Sequence, residues 1–537
     1  MKRTTMKIAI IGAGFAGLAA GKHLKEFGHD VTIFEKCPDV GGVWSRTRRY
    51  PGLCTQNNKG TYYLSDLKMP DSYPEWPSGA QVQAYMAGYA SMFGLEPHLR
   101  LATEVVHADQ ELLNGDVRWT VTTRPVDEQG APAGAEQAEE FDFLVVANGI
   151  FSVPFIPNWP GRAEFEAAGG QVLAPSEVHD LSVVADKELV VVGYGKSACD
   201  VAVSLSEGAA TTIVVARQLL WKMPRMLMGM LNFKHLMLTR MGEGLFEYQH
   251  VRGVERFMHG RGKGVTKSML GSVQAMATKQ LGLDKLGLVP DGGFERIARS
   301  TVSLVTEGFF EKVATGELKV VRDTLISELT TLDGKPAARL NNGDVIPAEV
   351  IVCATGFRQE VPFLSAELQD RITDERGNFE LYRQILPHEV RGLAFCGYNS
   401  SFYSPLSAEA AAIWIGAYLM DELNLPSVDV RRRRVAEKLR WMEERTEGHH
   451  ARGTNIIPFS MHNIDEILSD IGLDVSPAKK AEQWMTTTEA SDYRSIPQQL
   501  IERHERRTGR RLVERDTDGF TERSAAKAGK VASAGQS

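Results

Sequence analysis

The 537-residue chain has little of what marks several large protein classes. It holds five cysteines, an odd number, and no CxxC or CxxxxC spacing; Cys37 and Cys54 are the closest in sequence. That excludes a disulfide-stapled secreted scaffold and fits a reducing, cytoplasmic compartment. No run of 18 or more apolar residues is present, so no transmembrane segment is expected. Met1 to Thr5 is too short for a signal peptide, and the apolar run after it reads as a strand. A net charge of −7 gives no nucleic-acid surface. The basic stretch Arg503 to Arg515 is mixed with acids and reads as a solvated helix end before a disordered tail. His449, His450 and His462 lack partners at ligand spacing, so no metal site is expected.

What the chain does have is glycine in two special places. Lys7-Ile8-Ala9-Ile10-Ile11 is a continuous apolar run, the pattern of a parallel strand covered on both faces. It leads into Gly12-Ala13-Gly14-Phe15-Ala16-Gly17 and a helical stripe. Gly12 permits the tight turn, Gly14 lets the backbone approach a pyrophosphate, and Gly17 lets the helix pack on the strand. The N–H groups of the turn, those of Phe15 and Ala16 included, then face phosphates at the positive end of a helix dipole. The next strand ends at Glu35, followed by Lys36. A carboxylate roughly 20 residues after the glycines accepts from ribose hydroxyls and repels a 2′-phosphate, so this site suits FAD or NAD.

Glu188 to Val192 repeats the arrangement, opening into Gly193-Tyr194-Gly195-Lys196-Ser197-Ala198. Here the third glycine is Ala198, and the following strand ends at Arg217 instead of an acid. An arginine facing the adenosine ribose matches a 2′-phosphate, which reads as NADPH. Two dinucleotides held face to face imply electron transfer from one to the other. With no dithiol relay, molecular oxygen is the natural sink.

From Gly12 to about Trp441, and more weakly to about residue 505, the chain resembles class B flavin-dependent monooxygenases of the flavin-containing branch. Gly41-Gly42-Val43-Trp44, Tyr50-Pro51-Gly52-Leu53 with Thr55 and Lys59, Tyr73 to Ser78, Trp221 to Arg225, and Cys353-Ala354-Thr355-Gly356-Phe357 carry the likeness. The last is similar to the family's "ATG" hinge, and Val145 to Gly149 is an earlier equivalent. The resemblance implies that Gly42, Val43, Trp44, Thr55, Ala354, Thr355 and Gly356 join the cofactor contacts. It also implies that NADPH reduces FAD and that oxygen adds to give a C4a-(hydro)peroxyflavin in a dry pocket.

Two departures stand out. The family's FxGxxxH fingerprint places a histidine where this chain has Ala174; Gly170 remains, and His179 is five residues out of register. His179 is either a replacement or a surface-loop residue. The branch's peroxyflavin-supporting asparagine slot holds Gln56, with Asn57 adjacent, so either amide is a candidate catalytic group. Baeyer–Villiger members carry an arginine before a proline late in the NADPH domain, where Val289 precedes Pro290 here.

The expected fold is α/β, with two Rossmann-like domains. The FAD domain spans 1–165 and 345–430, and the NADPH domain, 166–344, is inserted within it. A helical region, 431–505, and a tail, 506–537, follow. Arg124 to Glu140 reads as an exposed hairpin or loop, and Leu406 to Leu419 as a buried helix; Asn399 and Ser407 are candidate flavin contacts. Residues 219–300 hold Met223, Met226, Met228, Met230, Met237, Met241, Met258 and Met269. This segment is core, a lid that selects substrate, or a membrane-surface contact. The leading expectation is an NADPH-dependent FAD monooxygenase that oxygenates nitrogen or sulfur in a lipophilic small molecule, as a monomer or homodimer. Baeyer–Villiger oxidation and uncoupled peroxide-forming NADPH oxidation are the alternatives.

Overall fold

A computed structural model describes residues 5–113, 115–299, 303–455 and 460–512. Two five-stranded parallel sheets form its centre. The first runs, edge to edge, through Leu393–Phe395, Phe143–Val146, Lys7–Ile11, Asp30–Phe34 and Leu99–Arg100. The second runs through Lys319–Arg322, Thr211–Ala216, Glu188–Val192, Val350–Cys353 and Gln171–Leu173. In each, the strand before a glycine turn lies at the centre. Ile11 pairs with Phe34 and Val146, and Val192 pairs with Val215 and Cys353. Ile8 to Ile10 and Leu189 to Val191 are at most 1% exposed, as expected of strands covered on both faces.

Val350–Cys353 belongs to the second sheet, so the chain crosses back towards the first sheet after Cys353, not at 345. The crossing is braced by Phe357–Arg358, which pairs antiparallel with Val153–Pro154. Arg124 to Glu140 contributes more order than a loop: Asp116–Pro125 and Gln137–Phe141 are strands of an antiparallel meander, joined by an exposed connection.

Helix Ser404–Leu419 is buried throughout Pro405 to Ala417 and packs on helix Phe15–Glu26, where Gly416 leaves room for the Phe27 ring. Segment 219–299 combines short strands with helices such as Gly253–His259 and Lys263–Leu281. Met223, Met237 and Met258 are core, Met226 and Met241 are half-buried, and Met228, Met230 and Met269 are exposed. The C-terminal helices clamp this segment: Arg240 pairs with Asp465 at 2.6 Å, and His462 lies 2.8 Å from Glu255 and 3.1 Å from Glu243. The last helix, Ile496–Thr508, runs past 506; the rest of the expected tail, 513–537, lies outside the described residues. No helix among the described residues is long and apolar enough to cross a membrane.

Candidate functional site

The two glycine turns are built alike. Gly12 sits at φ +111°, donates its N–H to Phe34 O at 2.7 Å, and a Cβ there would stand 2.4 Å from the Ala147 carbonyl oxygen. Gly193 sits at φ +124°, donates to Val215 O at 2.9 Å, and a Cβ would stand 2.5 Å from the Ala354 oxygen. Only glycine tolerates that conformation and that approach. The recurrence of the Ala147–Gly149 and Ala354–Gly356 segments thus has a packing reason: each supplies the carbonyl against which a glycine turn closes. Helices Phe15–Glu26 and Lys196–Leu205 begin at Gly14 and Gly195, neither carrying a side-chain cap, which leaves N–H groups directed at any bound anion.

The first turn opens on a cavity of about 530 Å³ lined by Gly12, Gly14, Phe15, Ala16, Glu35, Lys36 and Gly42. Glu35 is buried, and its two oxygens each accept one backbone N–H, from Ala13 at 2.7 Å and Cys37 at 2.8 Å. These bonds fix the carboxylate and leave lone pairs for ribose hydroxyls. Lys36 pairs with Glu104 at 2.7 Å. Asn399 lines the same cavity; its amide nitrogen is held by Ser460 and Asn463, while its buried Oδ1 has no partner among the described residues. An orphaned acceptor, uncapped helix N–H groups and a cradle that a Cβ would fill together fit an elongated nucleotide such as FAD. Ser407 sits behind Asn399 and off the cavity wall.

A second cavity of about 350 Å³ shares Val43, Trp44, Arg48, Tyr62, Phe151 and Ser404 with the first. Gly195, Lys196 and Ser197 of the second turn line it, as do Ala354 and Gly356. Gln56 and Asn57 both reach it, with different commitments. The Gln56 Oε1 accepts from Leu304 N at 3.5 Å, and its NH2 has no partner among the described residues. The Asn57 amide donates to the Phe402 carbonyl. Lys196 pairs with Asp200, which also accepts from Thr306 at 2.6 Å, so the ammonium is already neutralised.

Several expected contacts turn away from both cavities. Thr55 is buried behind the wall and donates to Asn57 O at 2.7 Å, and Thr355 donates to the Phe155 carbonyl across the crossing. Gly17, Gly193 and Ala198 act by packing: a Cβ on Gly17 would lie 1.7 Å from Gly12 O. Arg217 ends its strand exposed, without a partner among the described residues. His179 is exposed on a loop outside both cavities, while Pro175 and Ser176 line the second. Among the described residues none of 219–299 lines either cavity, but Arg225 donates to Cys54 Sγ on the wall of the second at 3.0 Å. Sequence reading missed Tyr50, Cys54 and the Ser400–Ser404 loop, all on the second cavity. Burial raises the Tyr50 hydroxyl well above its usual range, and Asp200 adds to the effect. The Ser404-Pro405 helix start was the one signal available for the loop.

The profile of the flavin-binding monooxygenase-like family matches residues 5–263. Probable flavin-containing monooxygenase 1 of Arabidopsis thaliana is 25% identical over 515 residues, covering 88% of this chain and 93% of that one. The chain is a flavin-dependent monooxygenase, similar to the class B flavin-containing enzymes. FAD and NADPH are the cofactors of this monooxygenase. Solved structures agree on the fold. The S-allyl-L-cysteine S-oxygenase of Allium sativum has a TM-score of 0.58 at 17% identity, covering 99% of this chain and 100% of its own. A cyclohexanone monooxygenase variant from Rhodococcus sp. Phi1, bound to NADP+, has a TM-score of 0.61 at 16% identity, covering 88% and 98%. Among the described residues, no group of three or more His, Cys, Asp or Glu is gathered to hold a metal ion.

Proposed function

We propose that this monooxygenase transfers one oxygen atom to nitrogen or sulfur of an uncharged lipophilic molecule, with FAD in the first cavity and NADPH on the second turn. The observation that carries this reading is the shared wall: each glycine turn opens on its own cavity, and Trp44, Tyr62 and Phe151 border both. FAD, once reduced by NADPH, supplies the activation of dioxygen. The protein residues bind, orient and exclude water. Gly12, Gly14 and Gly17 shape the FAD turn, Glu35 takes the ribose, and the Ala354–Gly356 crossing positions the two halves. Gly193 shapes the second turn, Gly195 and Ser197 hold the NADPH pyrophosphate, and Arg217 takes the 2′-phosphate. Of the two amides, Gln56 is favoured as the donor near the oxygenated flavin, because its NH2 is uncommitted. Lipophilic specificity is supported by Leu53, Phe357 and Phe402 on the second cavity and by the neutralised Lys196–Asp200 pair.

The domain reading that goes with this is a FAD domain of residues 1–165 plus the chain after Cys353, around an inserted NADPH domain. For surface partners, we propose peripheral contact with an anionic membrane. Exposed Phe257 and Val265 lie close in sequence to exposed Arg252, Arg256, Arg261 and Lys263, and Met228 and Met230 earlier in the segment are exposed too. Co-flotation with phosphatidylserine vesicles tests it, and no flotation removes it.

The main test follows reduced flavin meeting oxygen. Protein reduced anaerobically with NADPH is mixed with oxygenated buffer, and absorbance and peroxide are recorded. A flavin species that persists for seconds and is consumed by an amine or thioether supports the reading. Immediate return to oxidised flavin with stoichiometric peroxide, whatever substrate is present, favours uncoupled NADPH oxidation. That second reading has one observation behind it: Ala174 in place of the fingerprint histidine.

A further inference from the structure

Behind the second glycine turn lies a lysine that the cofactor contacts above leave out. Lys222 donates from Nζ to the carbonyl oxygen of Tyr194 at 2.8 Å and to Ser303 Oγ at 3.1 Å. Tyr194 is the middle residue of Gly193-Tyr194-Gly195, and the ammonium also stands 4.6 Å from its ring centroid. Lys222 is 1% exposed. Among the described residues no carboxylate lies within ion-pair distance of it. Helix Lys196–Leu205 brings Cys199, Lys196 and Asp200 near, but Asp200 is committed to Lys196. Burial lowers the affinity of Lys222 for its proton most; Cys199 opposes this through its charge and a hydrogen bond, the Lys196 charge lowers it further, and Asp200 opposes least.

The first turn provides an internal control. There the corresponding carbonyl, that of Ala13, accepts from the backbone N–H of Gly41 at 3.0 Å. The same carbonyl position is thus restrained by a neutral amide at the FAD turn and by a buried ammonium at the NADPH turn. A buried cation without a carboxylate is costly unless an anion compensates it. The anion to be expected here is the pyrophosphate on the other side of the turn, reached through a low-dielectric layer one residue thick.

We propose that Lys222 is a positioning and affinity residue for the dinucleotide at the second turn: it holds the Tyr194 carbonyl inward and lends its charge to the pyrophosphate. The proposal rests on the reading of that turn as the NADPH site. Because the pyrophosphate is common to both dinucleotides, Lys222 acts equally on NADP+ and NAD+, whereas Arg217 acts on NADP+ alone.

The test measures calorimetric Kd values for NADP+ and NAD+ on FAD-loaded protein, for wild type, Lys222→Gln and Lys222→Met, with Arg217→Ala as reference. A rise of about tenfold or more in Kd, by the same factor for both dinucleotides and at unchanged FAD content, is expected of both Lys222 variants. Kd values within twofold of wild type, or a loss confined to NADP+, would overturn the proposal. Full recovery in Lys222→Gln, which keeps a donor for Tyr194, would overturn the charge contribution. If neither variant folds, NAD+ affinity of the wild type decides: it should weaken as pH rises from 7 to 10.5, and a flat profile overturns the proposal. Failure of wild-type protein to bind NADP+ would instead break the assignment of the second turn.

Discussion

The two glycine turns share one backbone plan and differ in several of the residues that surround it. At the first, the third glycine is retained, the acid Glu35 is buried and locked by two backbone N–H groups, and the turn carbonyl is held by Gly41. At the second, Ala198 replaces the glycine, Arg217 stands exposed, and the turn carbonyl is held by Lys222. A buried carboxylate already fixed by two backbone N–H groups suits a cofactor that stays. A solvated arginine at the strand end suits a dinucleotide that must enter and leave. Dinucleotide specificity is therefore written at the strand ends, and residence is written in the packing around the turn.

The largest effect should come from making the turns alike at the third glycine. Gly17→Ala places a methyl 1.7 Å from Gly12 O, whereas Ala198→Gly removes a methyl that already fits. Gly17→Ala should lose FAD at least tenfold, read from the 450-to-280 nm absorbance ratio, and Ala198→Gly should bind NADPH within about threefold of wild type. Comparable losses in both would remove the distinction. Next, Arg217→Ala should raise the KM for NADPH about 10- to 100-fold and leave that for NADH unchanged, since a charge-assisted contact contributes about 1.5–3 kcal/mol. Equal loss with both cofactors would show that Arg217 does not read the 2′-phosphate. Gln56→Ala should shift NADPH turnover several-fold towards peroxide with little change in reduction rate, while Asn57→Ala should act through stability; the reverse pattern assigns the donor to Asn57.

The smallest effect concerns the clamp on the methionine-rich segment. Burial alone would lower the His462 pKa, but Glu243 and Glu255 override it and raise it to about 10. Its stabilising share is complete below the unfolded value near 6.5 and fades as pH rises through about 10. Wild-type Tm should fall by a few degrees across that window, and His462→Gln should start lower and stay flatter. Parallel curves would mean that the pair contributes nothing measurable.

Much of the site was legible because local chemistry dictates it. Strand, glycine turn, helix and acid occur in one continuous stretch, so Gly12, Glu35 and the cavity beside them could be read in order. What failed to read depended on contacts distant in sequence. Thr55 and Thr355 are hydroxyls whose direction is set by Asn57 and Phe155, and no spacing rule reveals which way they face. The methionine-rich segment could be read as core, lid or membrane contact from composition; Met223, Met237 and Met258 are core, and the segment packs behind the second cavity, where Arg225 donates to Cys54 at 3.0 Å. The boundary at 345 erred because Val350–Cys353 is apolar enough for either sheet, and its pairing with Leu189 to Val192 settled the matter.

The sequence by itself determined the two glycine turns, their opposite charges at Glu35 and Arg217, and the family likeness, because these depend on short-range geometry that a few residues impose. Tertiary structure alone decided that the two cavities share a wall, that the Gln56 NH2, unlike that of Asn57, has no partner among the described residues, and that Lys222 lies under the second turn. Each of those depends on a partner 28 or more positions away, as in Lys222 with Tyr194, or on chain segments that meet only when both sheets have formed.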